Sequence, residues 1–372
     1  MKFYIIAGER SGDLHGSNLV KSLLTRDSSI SFRGFGGDEM KKAGVDIKVH
    51  YQQMAFMGFT AVIANLGTIS KLLKFCKQDI LEYKPDVIIL IDYAGFNMRI
   101  AKFAKENGLK VFYYISPKVW AWNIKRAWKL KANVNRLFSI LPFEKDFFKK
   151  FDWEIDYVGN PVLDAIKTYK PDTDFLQKNT IVADKKIVAL LPGSRKMELR
   201  RMIPVMAEVV KSNPQYQFVV AAVDTLPKEL YQPLKEISSV KFVYESTYDL
   251  LTHSRAAIVT SGTAALETTI FKVPQAVIYK AGNLEYLLLK QLVKVPYISL
   301  TNLIVSRLVF KEFIQHDMNA KNLNAELKEL VEDTSTRKKM LEDYDEVYRI
   351  LDTGSASENT ARLMLNYLDK KN

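Results

Sequence analysis

Val259-Thr260-Ser261-Gly262-Thr263-Ala264-Ala265-Leu266-Glu267 reads as the end of a buried strand, a sharp turn and the start of a helix. Ala256–Thr260 is short and apolar, Ser261-Gly262 is a turn pair, Thr263 can cap, and residues 264–271 favour helix. A helix entered this way presents N–H groups without partners and a partial positive charge, which suits an anion such as phosphate. Glu267, about one turn in, can accept hydrogen bonds from two vicinal hydroxyls such as those of a ribose. The plainer alternative is a strand–turn–helix joint with a surface glutamate, and this stretch alone leaves both open.

Working outward, the same unit recurs. Upstream lie a strand at Ile187–Leu191, the turn Pro192-Gly193-Ser194-Arg195, a helix to about residue 211, and strands at 217–221 and 240–243. Downstream comes a strand at Gln275–Tyr279, and the last 50 or so residues are helical and charged, with an amphipathic helix at 356–368. The first half carries strands at Lys2–Ala7, 30–34, 86–92 and 110–115, alternating with helices at 14–24, 68–83 and 97–107. Gly159-Asn160-Pro161 and the polar segment 167–172 interrupt the pattern like a linker. The expected architecture is α/β: two Rossmann-like doubly wound domains facing each other across a cleft. Residues 1–165 form the first and 166–345 the second, and 346–372 bring a C-terminal helix back to the N-terminal domain.

Composition narrows the functional classes. The 372 residues are 48% hydrophobic and 26% charged, an ordinary globular balance able to bury two cores. Met1-Lys2-Phe3-Tyr4-Ile5-Ile6-Ala7-Gly8 reads as a strand rather than a leader, and no apolar run approaches a membrane span. The single cysteine, Cys76, excludes an internal disulfide and fits a reducing cytoplasm. Four histidines are scattered without ligand spacing, so no metal site is expected. An excess of 54 Lys and Arg over 42 Asp and Glu leaves +12, which favours phosphorylated substrates, a polyanion or an anionic membrane surface. Nucleic acid is not expected, because no zinc finger, RNP motif or arginine-rich tract occurs.

Ligands of doubly wound sheets sit beyond the carboxyl ends of the strands, which selects four loops. Gly8-Glu9-Arg10-Ser11-Gly12-Asp13 matches neither a dinucleotide fingerprint nor a Walker sequence. It offers Ser11 and Gly12 to a polar ligand, or is a plain turn with Asp13 as N-cap. Asp92 ends an apolar strand, as a general base or as a cap for its loop. Arg195 either neutralises a diphosphate or is a surface arginine. The fourth loop is the opening stretch, with Asn302, Glu312 and Gln315 as further possible polar contacts. The D-x-D pairs at Asp172 and Asp174 and at Asp343 and Asp345 fall in a linker and a helix, where a metal–diphosphate site is not expected. Trp120, Trp122 and Trp128 interleave with Lys118, Lys125, Arg126, Lys129 and Lys131. That mixture suits a membrane interface, or a helix packed by its tryptophans with a solvated cationic face.

These segments resemble one family, lipid-A-disaccharide synthase, an inverting glycosyltransferase of the two-domain GT-B type. The resemblance runs through Ala7-Gly8-Glu9-Arg10-Ser11-Gly12-Asp13, Phe56-Met57-Gly58-Phe59, Pro85-Asp86 to Asn97, and Ile115-Ser116-Pro117-Lys118-Val119-Trp120-Ala121-Trp122. It continues through Leu141-Pro142-Phe143-Glu144, Val158-Gly159-Asn160-Pro161, Leu191 to Arg195, Ser261 to Glu267, and Asn302-Leu303. Two departures are Ala94, where the family usually has proline, and Thr301-Asn302-Leu303-Ile304-Val305-Ser306, where the family usually has Pro-Asn-Leu followed by Ala-Gly.

The resemblance implies that UDP-2,3-diacylglucosamine and 2,3-diacylglucosamine 1-phosphate (lipid X) are condensed to the β(1→6) lipid A disaccharide 1-phosphate and UDP. Asp92 is then the expected base, with Glu9 as substitute. Ser11, Gly12, Gly193, Ser194, Arg195, Ser261, Gly262, Thr263, Ala264, Glu267 and Asn302 are expected on the UDP-sugar. Met57, Phe59, Trp120, Trp122, Lys125, Arg126 and Trp128 are expected to face the acceptor or the membrane. No cofactor or metal is expected. The protein would act on the cytoplasmic face of the inner membrane as a peripheral protein, with a homodimer compatible but not required. A UDP-sugar 2-epimerase of the same fold and a non-catalytic basic membrane-surface binder are the alternatives.

Overall fold

The runs Val87–Ile91, Ile187–Leu191 and Ala256–Thr260 are buried at every position. Strands covered on both faces demand this, because neither side of the pleat meets water. The computed structural model describes residues 1–54, 66–282, 286 and 295–369. They form two parallel sheets flanked by helices. The first contains β1 (Lys2–Ala7), β2 (Ser31–Gly36), β3 (Val45–His50), β4 (Val87–Ile91), β5 (Val111–Tyr114), β6 (Arg136–Ser139) and β7 (Asp156–Tyr157), ordered β3-β2-β1-β4-β5-β6-β7. The second contains β8 (Ile187–Leu191), β9 (Gln217–Ala222), β10 (Lys241–Tyr244), β11 (Ala256–Thr260), β12 (Gln275–Tyr279) and β13 (Glu312–Ile314), ordered β10-β9-β8-β11-β12-β13.

Strand order reverses inside each sheet, where β1 lies beside β4 and β8 beside β11. Registers align Ala7 with Ile91 and Leu191 with Val259. The loops after these strand pairs therefore leave from the same sheet end, at the switch point where doubly wound folds bind ligands. All four candidate loops are among them.

The chain divides into two compact units, Met1–Asp164 with Thr353–Asn372, and Ala165–Asp352. In the first, alternate strand residues feed opposite faces: Tyr4, Ile6, Ile88 and Leu90 enter one apolar cluster, and Phe3, Ile5, Ile89 and Ile91 the other. Helix Ala356–Asp369 covers the second face, burying Ala361 and Met364 with Leu19, Val20 and Leu23 of helix Arg10–Arg26. The return to the first unit starts at Thr353 rather than 346, because helix Ser335–Leu351 runs unbroken to the end of the second unit.

Two expectations change. The first long helix starts at Arg10, not at residue 14, with Glu9 as its extended N-cap residue at φ −145°. Asp13 caps a different element: its carboxylate accepts from the backbone N–H groups of Gly37 (2.7 Å), Glu39 (3.0 Å) and Met40 (3.1 Å), at the entrance of helix Asp38–Lys42. The short strand β13 has no counterpart in the sequence reading.

Candidate active site

The first unit contributes a pair of carboxylates. Asp92 leaves β4 in the left-handed region at φ 42°, followed by Tyr93 at φ 47°. Each such residue costs on the order of 1–3 kcal/mol, so surrounding bonds must hold it. Asn97 Nδ2 donates to the carbonyls of Ile91 (3.1 Å) and Asp92 (2.9 Å), and the Tyr113 hydroxyl donates to the Asp92 carbonyl at 2.5 Å. The Tyr93 hydroxyl donates to the Met54 carbonyl at 2.6 Å. Gly8 makes room for the Tyr93 ring, since a Cβ there would lie 2.3 Å from it.

The backbone at Asp92 is thus fixed from both flanks. Burial pushes its carboxyl up to about 6, the Glu9 charge adds to this, and Lys118 together with a hydrogen bond from the Tyr93 backbone opposes it. Glu9 is half-buried and makes no side-chain cap bond. Ser11 is exposed on the first helical turn, whereas Gly12 is buried with its Cα side 3.3 Å from Ala7 Cβ by the position a Cβ would take. The missing side chain at Gly12 serves helix-on-strand packing.

The second unit contributes two strand–turn–helix joints. After β8, Gly193 takes φ +102°, and helix Lys196–Ser212 follows with Arg195 at its N-cap. Glu198 reaches back over this turn. Its Oε2 accepts from the backbone of Ser194 (3.1 Å) and Arg195 (3.2 Å), and its Oε1 from the Arg195 guanidinium (3.3 Å). The amides expected to face a phosphate are therefore capped by a carboxylate. Sequence reasoning missed Glu198, although a glutamate three residues after an N-cap is the spacing of a capping box.

After β11, the N-cap of helix Thr263–Ile270 is Gly262, not Thr263, which is exposed in the first turn. The first amides of that helix, Thr263 and Ala264 among them, lack intrahelical acceptors by geometry. Ser261 Oγ is turned back to the Ile298 carbonyl at 3.0 Å. Glu267 is half-buried, burial raises its pKa, and the Tyr248 hydroxyl donates to its Oε1 at 3.0 Å.

Asn302 is a correction. It is fully buried, its Nδ2 donates to the Phe310 carbonyl (3.1 Å) and Glu312 Oε1 (2.9 Å), and its Oδ1 accepts from Val309 (2.8 Å). Glu312 also accepts from the backbone of Ile298 and Ser299, both at 2.9 Å, and Gln315 is bound to Ala281. Asn302 is thus spent inside the fold, and Glu312 fixes the Ile298–Ser299 backbone to which Ser261 Oγ is bonded.

The aromatic–basic segment also separates on inspection. Trp120 is 8% exposed, packs edge-on against Phe143 and donates through Nε1 to Glu144 at 3.0 Å, so it faces the interior instead of a surface. Glu144 is itself buried, which pushes its carboxyl up to about 8. Trp128 is 51% exposed, as is Ile124 at 41%, with Lys125 and Lys129 exposed around them and Arg126 half-buried. The Trp122 side chain, Met57 and Phe59 lie outside the described residues.

Two parallel doubly wound sheets, each with its loops at a switch point, place the protein in the GT-B class of nucleotide-sugar folds. Solved structures agree. The chain aligns over its whole length with a UDP-GlcNAc 2-epimerase from Neisseria meningitidis, solved with UDP-GlcNAc, at TM-score 0.65, 13% identity and full coverage of that chain. It aligns equally with the calicheamicin glycosyltransferase CalG4 at TM-score 0.64, 13% identity and 98% of that chain. Likeness at such identity shows the fold alone.

Sequence relatives carry the finer assignment. The lipid-A-disaccharide synthetase family model matches residues 3–364. The lipid-A-disaccharide synthase of Syntrophus aciditrophicus is 36% identical, with 98% of this chain and 97% of the relative aligned. That of Geobacter sulfurreducens is 34% identical, at 100% and 98%. The chain belongs to the lipid-A-disaccharide synthase family of glycosyltransferases. Neither the epimerase nor the non-catalytic alternative fits a match of this extent.

Proposed function

We propose that the protein transfers the diacylglucosaminyl group of UDP-2,3-diacylglucosamine to the 6-hydroxyl of lipid X, with inversion, releasing UDP. The observation that carries the residue-level reading is the placement of Asp92, a half-buried carboxylate that leaves β4 at the switch point of the first sheet with its backbone held by Asn97 and Tyr113. Burial and the Glu9 charge push its carboxyl up to about 6. It is ionised at neutral pH yet basic enough to take a proton as the bond forms. Asp92 accepts the proton of the 6-hydroxyl, the oxygen attacks the sugar's C1, and the C1–O bond to UDP breaks with its electron pair leaving on the diphosphate.

The N-terminus of helix Thr263–Ile270 and the Arg195 guanidinium stabilise that leaving charge, and Glu267 accepts from the ribose hydroxyls. No metal is assigned a part in this reading. The D-x-D carboxylates support that choice, being occupied by ion pairs: Asp172 with Lys178 (2.8 Å), Asp343 with Arg307 (2.8 Å) and Asp345 with Lys272 (2.5 Å). Acyl chains on both substrates call for work at a membrane surface, and no described helix is long and apolar enough to cross one.

Incubating purified protein with UDP-2,3-diacylglucosamine and lipid X should yield the disaccharide 1-phosphate and UDP. Chelator-treated protein should keep its rate. Failure to form disaccharide overturns the substrate assignment, and a lost rate restored by Mg²⁺ or Mn²⁺ overturns the metal-free route.

A further inference from the structure

We propose that Tyr248 is the positioning residue for Glu267, its hydroxyl fixing one carboxylate oxygen so that the other is preset for the donor's ribose. The proposal rests on the ribose reading of Glu267 given above. A glutamate side chain turns about several bonds, and a free one on the first turns of a helix samples several rotamers. Glu267 is not free. The Tyr248 hydroxyl donates to its Oε1 at 3.0 Å, and no other donor among the described residues reaches this carboxylate. Oε2, and the second lone pair of Oε1, are left for two adjacent hydroxyl donors, which a ribose presents.

What makes Tyr248 a fixed point is its ring. It lies 5.1 Å from the ring of Phe271, at the end of Glu267's own helix, and 5.3 Å edge-on from Tyr169. Tyr169 is anchored in turn: its hydroxyl donates to the Asp249 carboxylate, which also accepts from the backbone of Asp172 at 2.7 Å. Tyr169, before the second sheet, and Phe271, at the C-cap of helix Thr263–Ile270, therefore hold the Tyr248 phenol of helix Thr247–His253 in place. Electrostatics act in the same direction. Burial raises the pKa of Glu267, and the bond from Tyr248 lowers it, so the phenol also favours the ionised acceptor.

Calorimetric titration with UDP and with 2′,3′-dideoxy-UDP tests this on the full-length wild type, Tyr248→Phe and Glu267→Ala. The phenylalanine keeps the ring packing, which an unchanged melting temperature checks. Tyr248→Phe should bind UDP roughly tenfold more weakly, the order of one hydrogen bond to a charged group. Its affinity for the dideoxy nucleotide should stay at the wild-type level. With the sugar nucleotide, KM should rise while kcat changes little. Glu267→Ala should lose at least as much UDP affinity. Wild-type UDP affinity in Tyr248→Phe beside a weakened Glu267→Ala overturns the positioning role and leaves the ribose contact standing. Equal weakening toward both nucleotides makes Tyr248 a packing residue and also overturns it. Wild-type affinity in Glu267→Ala removes the ribose contact itself, and the role of Tyr248 with it.

Discussion

A carboxylate serves as a base near neutral pH only when its environment raises its pKa without protonating it, and three neighbours set that balance at Asp92. Burial and Glu9 raise it to about 6, and Lys118 lowers it. Turnover should therefore climb as pH rises through about 6 and level off above. Removing the Glu9 charge in Glu9→Gln should move that limb to lower pH, and Lys118→Ala should move it to higher pH. Asp92→Asn should cut kcat by roughly 10²–10⁴-fold while UDP binding stays close to wild type. Stability gives an independent check. An acid whose folded pKa exceeds its unfolded value holds a proton in the native state that the unfolded chain has released, so its contribution is best at low pH and lost as pH rises towards about 6. At neutral pH the charged, half-buried Asp92 is thus a burden, and Asp92→Asn should melt no lower than wild type. Full pH–rate profiles and melting curves on the three variants decide this. A rate collapse in Glu9→Gln with near-normal Asp92→Asn would transfer the base to Glu9.

At the scale of elements, the strand–turn–helix joint after β8 depends on Glu198, which accepts from two backbone amides and a guanidinium at once. Glu198→Ala uncaps helix Lys196–Ser212 and should cost about 1 kcal/mol of unfolding free energy by urea titration. An unchanged midpoint would mean that water caps the turn equally well. Joints of this kind were largely legible in the sequence, because buried parallel strands are continuous apolar runs and Gly-containing turns punctuate them. Ala256–Thr260 and Gln275–Tyr279 have the same bounds in the apolar pattern and in the structure. Side-chain allegiance was less legible. Asp13 caps an element more than twenty residues away, Asn302 is bonded to Val309, Phe310 and Glu312, and Trp120 turns inward to Glu144. Each carries the residue type of a ligand contact, and only tertiary packing decides whether a polar group is spent inside the fold. The strand β13, with three residues, is too short for a period to declare itself.

For the whole molecule, the question is how a chain whose described helices cannot span a bilayer reaches acylated substrates. We propose charge as one means, since a net +12 favours an anionic surface. An apolar foothold is the other means in this proposal, and in the first unit the exposed Trp128 and Ile124, with exposed Lys125 and Lys129 beside them in sequence, are the residues that would supply it. Trp120 takes no part, being buried on Glu144. Leu66 and Phe75 of helix Leu66–Tyr83 are exposed in the same unit. Binding to anionic vesicles should therefore have two components. The electrostatic one falls with salt and loses about 1 kcal/mol for each lysine removed, so Lys125→Ala with Lys129→Ala should weaken binding at low salt by more than tenfold. The apolar one survives high salt, and Trp128→Ala should reduce it. Because Trp128 also rests edge-on against Phe151 at 5.3 Å, Trp128→Phe is the paired variant that keeps a ring there. Vesicle co-sedimentation across a salt series separates the components. Equal binding to neutral and anionic vesicles at low salt would leave the charge without a role, and wild-type binding in both the lysine and the tryptophan variants would move the membrane contact away from this face.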